Sequence, residues 1–166
     1  MKRLIAFLLI LSLCLSLAAC ADPHAITFYY AREKTEYQYG AADGVMVGES
    51  REAAGHVDDL RYLLILYLHG PVSENLRSPF PAGTDLVELT QEGDSLTIRL
   101  SSIVSVLEGT DLTLACACLA RTCFDLTDVR TVTILAKGLE TVSMTMERDD
   151  LLLTDDSAEY MTETPQ

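Results

Sequence analysis

"TDLVELTQEGDSLTIRLS", Thr84 to Ser101, decides the fold class of this chain. In its second half Leu96, Ile98 and Leu100 interleave with Thr97 and Arg99, so a strand here buries one face and wets the other. Glu92-Gly93-Asp94 supplies a hairpin turn, with "TDLVELTQ" as the partner strand. Strands buried on both faces, as in a doubly wound α/β fold, would read as unbroken apolar runs. The alternation returns in "RTVTILA" and "ETVSMTM", through Val132, Ile134, Val142, Met144 and Met146, around a turn at Lys137-Gly138.

Upstream, "AITFYYA" and "GVMVGES" are rich enough in aromatic and β-branched residues for two strands, with "YGAADG" as the turn between them. "HVDDLRYLLILYLHGP" predicts a helix, with Asp58 and Asp59 in its first turn, where the helix dipole favours them. Leu60, Leu63, Leu64, Tyr67 and Leu68 share one face, Ile65 and Leu66 widen it, and Gly70-Pro71 stops it. "TDLTLACACLARTCFDLTDV" predicts a second helix, capped by Thr110 or Asp111, with Leu112, Ala115, Cys116, Leu119, Cys123 and Leu126 in a stripe. "SSIVSVLEG" is a connector without an assigned element. The order β-β-α-β-β-α-β-β implies an α+β fold: a single small domain whose antiparallel or mixed sheet carries two helices packed on one face. The open face would then be polar, through Thr97, Arg99, Thr131, Thr133, Ser143 and Thr145.

The amino terminus reads as an address. Met1-Lys2-Arg3 is basic, Leu4 to Leu17 is an apolar run short for a membrane span, and Leu17-Ala18-Ala19 leads into Cys20. This resembles the lipobox of bacterial lipoproteins, with Cys20 as the lipidated residue. The expected organisation is a signal peptide over 1–19, a lipidated tether over 20–24, the domain over 25–147 and an acidic, disordered tail over 148–166. The expected location is the extracytoplasmic face of a bacterial cell membrane, held by the lipid.

The chain has 166 residues and a net charge of −13, which becomes more negative once Lys2 and Arg3 leave with the signal. So acidic a surface excludes nucleic acid as a partner, since phosphate binding needs clustered Lys and Arg. It also argues against lying flat on anionic lipid. The remaining partner classes are the membrane through its anchor, an envelope protein, or peptidoglycan.

Catalytic signals are missing. There is no G-x-S-x-G, P-loop or H-E-x-x-H, and His24, His56 and His69 sit in a tether, before a helix and at a helix end. No catalytic residue, metal site or cofactor is implied. Cys116, Cys118 and Cys123 fall on one predicted helix. Cys116 and Cys123 stand about 10.5 Å apart by helical rise, beyond the roughly 7 Å that a disulfide spans. The plain reading is buried free thiols acting as small hydrophobes. Cys118 points to another face and is the candidate reactive thiol.

"HGPVSENLRSPFPAGTDL", His69 to Leu86, holds three of the five prolines. As a connector it has Pro79, Pro81 and Gly83 to fix its turns. As a functional loop it would present Leu76, Arg77 and Phe80 as an exposed apolar and basic contact for a partner.

Several motifs occur in order: Leu68-His69-Gly70-Pro71, then "SENLRSPFPAGT", a hairpin ending in "TIRLSS", an apolar helix, and "VRTVTILAKG". Together these resemble the GerMN domain of bacterial sporulation and spore germination proteins. Pro81-Ala82-Gly83-Thr84, Leu100-Ser101-Ser102 and Val129 through Ile134 occupy the family's characteristic places, and the likeness runs from Asp58 to Met146. The cysteine-rich second helix, the single domain copy and the acidic tail depart from the pattern. The resemblance implies a fold related to ring-building motifs and a non-enzymatic role in envelope assembly. A lipoprotein that binds a ligand or cell-wall fragment is the alternative.

Overall fold

The structure, a computed structural model, describes residues 25–33, 45–53, 55–137 and 141–151. The predicted signal peptide, Cys20, the tether, the whole "YGAADG" turn, Gly138 and the tail from residue 152 onward lie outside the described residues.

The alternating segments fold as strands: β1 (Ala25–Arg32), β2 (Met46–Glu52), β4 (Leu86–Glu92), β5 (Ser95–Leu100), β6 (Thr131–Lys137) and β7 (Thr141–Glu147). The helices are α1 (Leu60–Leu68) and α2 (Gly109–Leu126). Two elements are additional to the predicted order. Leu76–Arg77 form β3, a two-residue strand within the proline-rich loop, and Ser102–Val106 form a 3-10 helix.

The fold is α+β, but its strands divide into two sheets where one was expected. One sheet has the order β2-β1-β3, the other β4-β5-β6-β7. The reason lies at the free edge of β1. Its backbone N–H at Tyr29 donates to Thr122 Oγ1 of α2 at 2.9 Å, and among the described residues only Ala31 and Arg32 find strand partners there, on β3. A helix hydroxyl thus takes a place that a neighbouring strand would have filled. Helix α2 contacts β1 as well as β6 and β7.

In the four-stranded sheet β5 and β6 run parallel, with Leu96 opposite Val132 and Ile98 opposite Ile134. Parallel neighbours need a crossover connection, which the 3-10 helix and α2 supply. The flanking pairs β4–β5 and β6–β7 are antiparallel. Leu96, Ile98, Leu100, Val132, Ile134 and Ala136 are buried, as the alternation requires.

Three local expectations are corrected. Asp59 is the N-cap of α1, its carboxylate accepting from Tyr62 N–H at 3.0 Å, so neither Asp58 nor Asp59 lies inside the first turn. Helix α2 begins at Gly109, preceded by Glu108 and without a side-chain cap, so neither Thr110 nor Asp111 caps it. Ile65 does not widen the buried face but stands 40% exposed, whereas Leu66 is half-buried and packs against the core beside Leu63, Leu64 and Tyr67. At the other end of α1, Gly70 adopts φ 93° and donates its N–H to Tyr67 O at 3.0 Å. A residue with a Cβ would be strained there.

The aromatic centre of the core gathers Phe28, Tyr30, Tyr67 and Phe80. Tyr30 and Tyr67 stack at 4.9 Å, with Phe28 edge-on at 5.7 Å and Phe80 at 6.5 Å from Tyr67. The packed chain continues past the expected boundary at 147. Arg148 donates to the carbonyls of Phe124, Thr127 and Val129, and Leu151 is buried in the core.

Candidate functional site

The proline-rich loop is held inward. Leu76 is 7% exposed and pairs in β3, Phe80 is 4% exposed, and Arg77 is half-buried. The exposed patch expected at Leu76, Arg77 and Phe80 is therefore not formed. The cause is packing: the loop completes the short edge of β1 with its own backbone and meets Tyr67 with Phe80. Thr84, 6% exposed, donates its hydroxyl to Pro81 O at 2.8 Å and closes the Pro-Ala-Gly-Thr turn.

A buried ion pair fastens the start of that loop. Glu49, on β2 and 8% exposed, accepts from Ser73 N–H at 2.8 Å, Val72 N–H at 3.1 Å and Arg51 Nε at 2.8 Å. Arg51 donates in turn to Gly70 O at 2.6 Å, with its guanidinium 5.7 Å from the Phe28 ring. Burial opposes ionisation of Glu49, but the Ser73, Val72 and Arg51 donors outweigh it and hold the carboxyl below its ordinary range.

Helix α2 buries all three of its cysteines, which are free thiols. Cys118 was expected to be exposed, yet it is fully buried. Single-stripe reasoning assumes one covered face, whereas α2 is packed against strands of both sheets. Burial pushes the Cys116 thiol up to about 11 and the Cys118 thiol up to about 12, the latter despite Arg77 nearby. Burial raises Cys123 further. At neutral pH such groups are thiols rather than nucleophilic thiolates. Among the described residues, no group of three His, Cys, Asp or Glu side chains is arranged to hold a metal.

The face of the four-stranded sheet that no described element covers bears the polar residues that the alternation predicts. Strand register arranges them in cross-strand rows. One row is Thr90, Thr97, Thr133 and Thr145; another is Glu92, Ser95, Thr131 and Glu147; a third is Glu88, Arg99, Leu135 and Ser143. The Thr133 and Thr145 hydroxyls are 3.0 Å apart, and Arg99 pairs with Glu88. A shallow hollow lies over the β4–β6 part of this face, with Glu88, Thr90, Thr97 and Arg99 in its lining.

The sporulation and spore germination family named Germane matches residues 27–142. The chain belongs to that family. Among solved structures, it is similar to the tandem GerMN domains of the sporulation protein GerM from Bacillus subtilis, at 18% identity and a TM-score of 0.49. That match covers 76% of this chain and 47% of the other, so this chain spans about half the length of the tandem protein. It is also similar to a candidate lipoprotein from Clostridium perfringens, at 16% identity and a TM-score of 0.44, covering 76% of this chain and 88% of the other. A search of curated proteins gives no match.

Within this Germane domain, the sequence marked the threonines of the open face but not the Glu49–Arg51 clamp. Glu49 stands in "GVMVGES", where a glutamate beside glycine and serine reads as solvated; only the fold brings the Gly70–Ser73 corner over it. Exposed Val87, Ile103 and Val106 also went unmarked. The adjacent Leu86-Val87 breaks the alternation of β4 and is the one local signal.

Proposed function

We propose that this chain is a lipid-anchored, non-enzymatic module of the bacterial cell envelope that acts in protein assembly during sporulation or germination. The observation that carries the reading is the closeness of leader and domain. Strand β1 starts at Ala25, and the family match begins at residue 27, only a few residues after the lipobox cysteine Cys20. An anchor there would tether the domain at the outer face of the membrane. At the clamp the polar groups serve the fold rather than chemistry, since the Glu49 carboxylate is taken up by Ser73, Val72 and Arg51.

The test is metabolic labelling with an alkyne fatty acid and membrane fractionation of the wild type and Cys20→Ala. The reading expects label and membrane retention in the wild type and loss of both in the variant. Secretion of an unlabelled wild-type chain would overturn it.

A second reading, capture of cell-wall glycan, is favoured by the threonine row. Its hydroxyls recur at strand spacing, about 4.8 Å, near the length of one sugar ring in an extended glycan. Co-sedimentation with purified peptidoglycan, abolished by Thr133→Arg and Thr145→Arg, would move the assignment to wall binding.

A further inference from the structure

We infer that the corner formed by Val87, Ile103 and Val106 docks a protein partner with an apolar centre and a Lys- and Arg-rich periphery. Which end of the domain faces outward rests on the lipid-anchored reading above; the chemistry of the corner does not.

Two irregularities build the corner. The β4–β5 register shifts between Leu86 and Glu88, and this bulge leaves Val87 51% exposed between them. In the 3-10 helix, residues three apart eclipse one another. Ile103 and Val106, 38% and 67% exposed, therefore share a ridge while Val104 is buried. Asp85 and Ser101 exchange two hydrogen bonds, Ser101 N–H to Asp85 O at 2.9 Å and Asp85 N–H to Ser101 Oγ at 3.0 Å. This clip ties the residue before the 3-10 helix to the residue two before Val87, so the bulge and the helix stand at one end of the sheet, the helix packing on β6 and β7. All three exposed side chains are β-branched and lose little rotamer freedom when a partner covers them.

Two arguments choose the occupant. The first is distance. The start of β1 shares a hollow with Asp125, Asp128 and Arg148, and Arg148 follows the end of β7, where Glu147, Thr131 and Ser95 lie in one row. Asp85 and Ser101 lie at the opposite end of the strands, about 20 Å away along β5 at strand rise. From Cys20 the chain can reach Ala25 over at most about 18 Å. Anchoring at Cys20 thus keeps the β1 start near the lipid and holds the corner away from it, which disfavours a membrane as its occupant.

The second argument is charge. Asp85, Glu108 and Asp111 are exposed at this end, with Lys137, one step past the Leu100–Ala136 pair, as a cation on the same end of the sheet. A predominantly acidic rim on a strongly acidic chain disfavours a second copy and suits a basic one. The apolar centre supplies affinity and the rim supplies orientation.

The experiment uses the full lipidated chain in native membranes. A photo-crosslinking residue replaces Val106, Thr145 on the open face, or Asp128 at the β1 end. The expected result is one protein crosslinked from position 106 only, its crosslinked peptide an apolar segment flanked by Lys or Arg, with yield falling in high salt. Val87→Asp with Ile103→Asp, checked for folding by circular dichroism, should lower the yield about tenfold. Equal crosslinking from all three positions, crosslinks from 106 to lipid or to a second copy, or none from 106 would overturn the inference. Vesicle flotation of the same samples separates the premises. A chain that fails to float while crosslinking from 106 persists removes the anchor but keeps the docking corner.

Discussion

The clamp beneath the proline-rich loop and the open face of the four-stranded sheet use similar polar groups to opposite ends. At the clamp, one carboxylate takes three donors and is 8% exposed; on the open face Glu88, Thr90 and Thr145 remain in contact with solvent. The first arrangement closes the fold, because a buried charge without partners would cost several kcal/mol. The second keeps its groups at the surface, where Thr133 and Thr145 bond each other yet each hydroxyl retains capacity for water or a partner. Polarity alone does not mark a functional surface. What marks it is whether the donors and acceptors are already used.

That contrast is broken most severely at Phe80. Its ring meets Tyr67 under the loop, so Phe80→Ala should cost about 4 kcal/mol of stability, read from denaturant unfolding. A loss below about 1 kcal/mol would mean that the loop is not an integral part of the core.

The clamp itself comes next. Glu49→Gln keeps the shape but removes the charge that answers Arg51 and the two backbone donors, at a cost of about 3 kcal/mol. The sign with pH follows from its lowered folded value. An ordinary carboxyl near 4.5 takes up its proton before the folded one does. The contribution of Glu49 is therefore fully present above about 4.5 and fades as pH falls through the lower folded value. The stability gap between wild type and Glu49→Gln should narrow below pH 4.5 and stay constant from 6 to 8. A gap that widened with acid would contradict the clamp.

Cys118 gives a smaller, chemical effect. With its thiol pushed up to about 12 and no exposed surface, iodoacetamide at pH 8 should label it at least about tenfold more slowly in the native chain than after unfolding. Peptide mapping reads the site. Rapid native labelling would reopen the exposed-thiol expectation.

The sequence made legible what depends on near neighbours. Alternation in "SLTIRLS" and "RTVTILA" placed β5 and β6 and chose their wet faces, and the Leu63, Leu64 and Tyr67 spacing placed the buried side of α1. What stayed hidden depends on residues distant along the chain. Thr122 capturing the Tyr29 N–H divides the strands into two sheets, across 93 positions. Glu49 reaches Ser73 across 24. Cys118 was misjudged because its helix is covered twice, and Leu76 and Phe80 because loop prolines and an arginine read as surface. Of the open face, six residues were foreseen, but their alignment into rows required the register.

The smallest expected effect is on that face, and it sharpens the contrast most. Thr133 and Thr145 are directly opposed, with hydroxyls 3.0 Å apart. Thr133→Val with Thr145→Val removes both members of the pair together, leaves no buried group unsatisfied, and keeps the β-branched shape that strands favour. The change in stability should stay within about 0.5 kcal/mol. If peptidoglycan or a protein partner uses the row, its binding should still fall in this variant, because those hydroxyls are the groups it would contact. Stability retained with binding lost would show a surface kept for recognition. Stability lost instead would make the row a structural ladder, equivalent in kind to the clamp, and would leave the Val87–Val106 corner as the stronger candidate for contact.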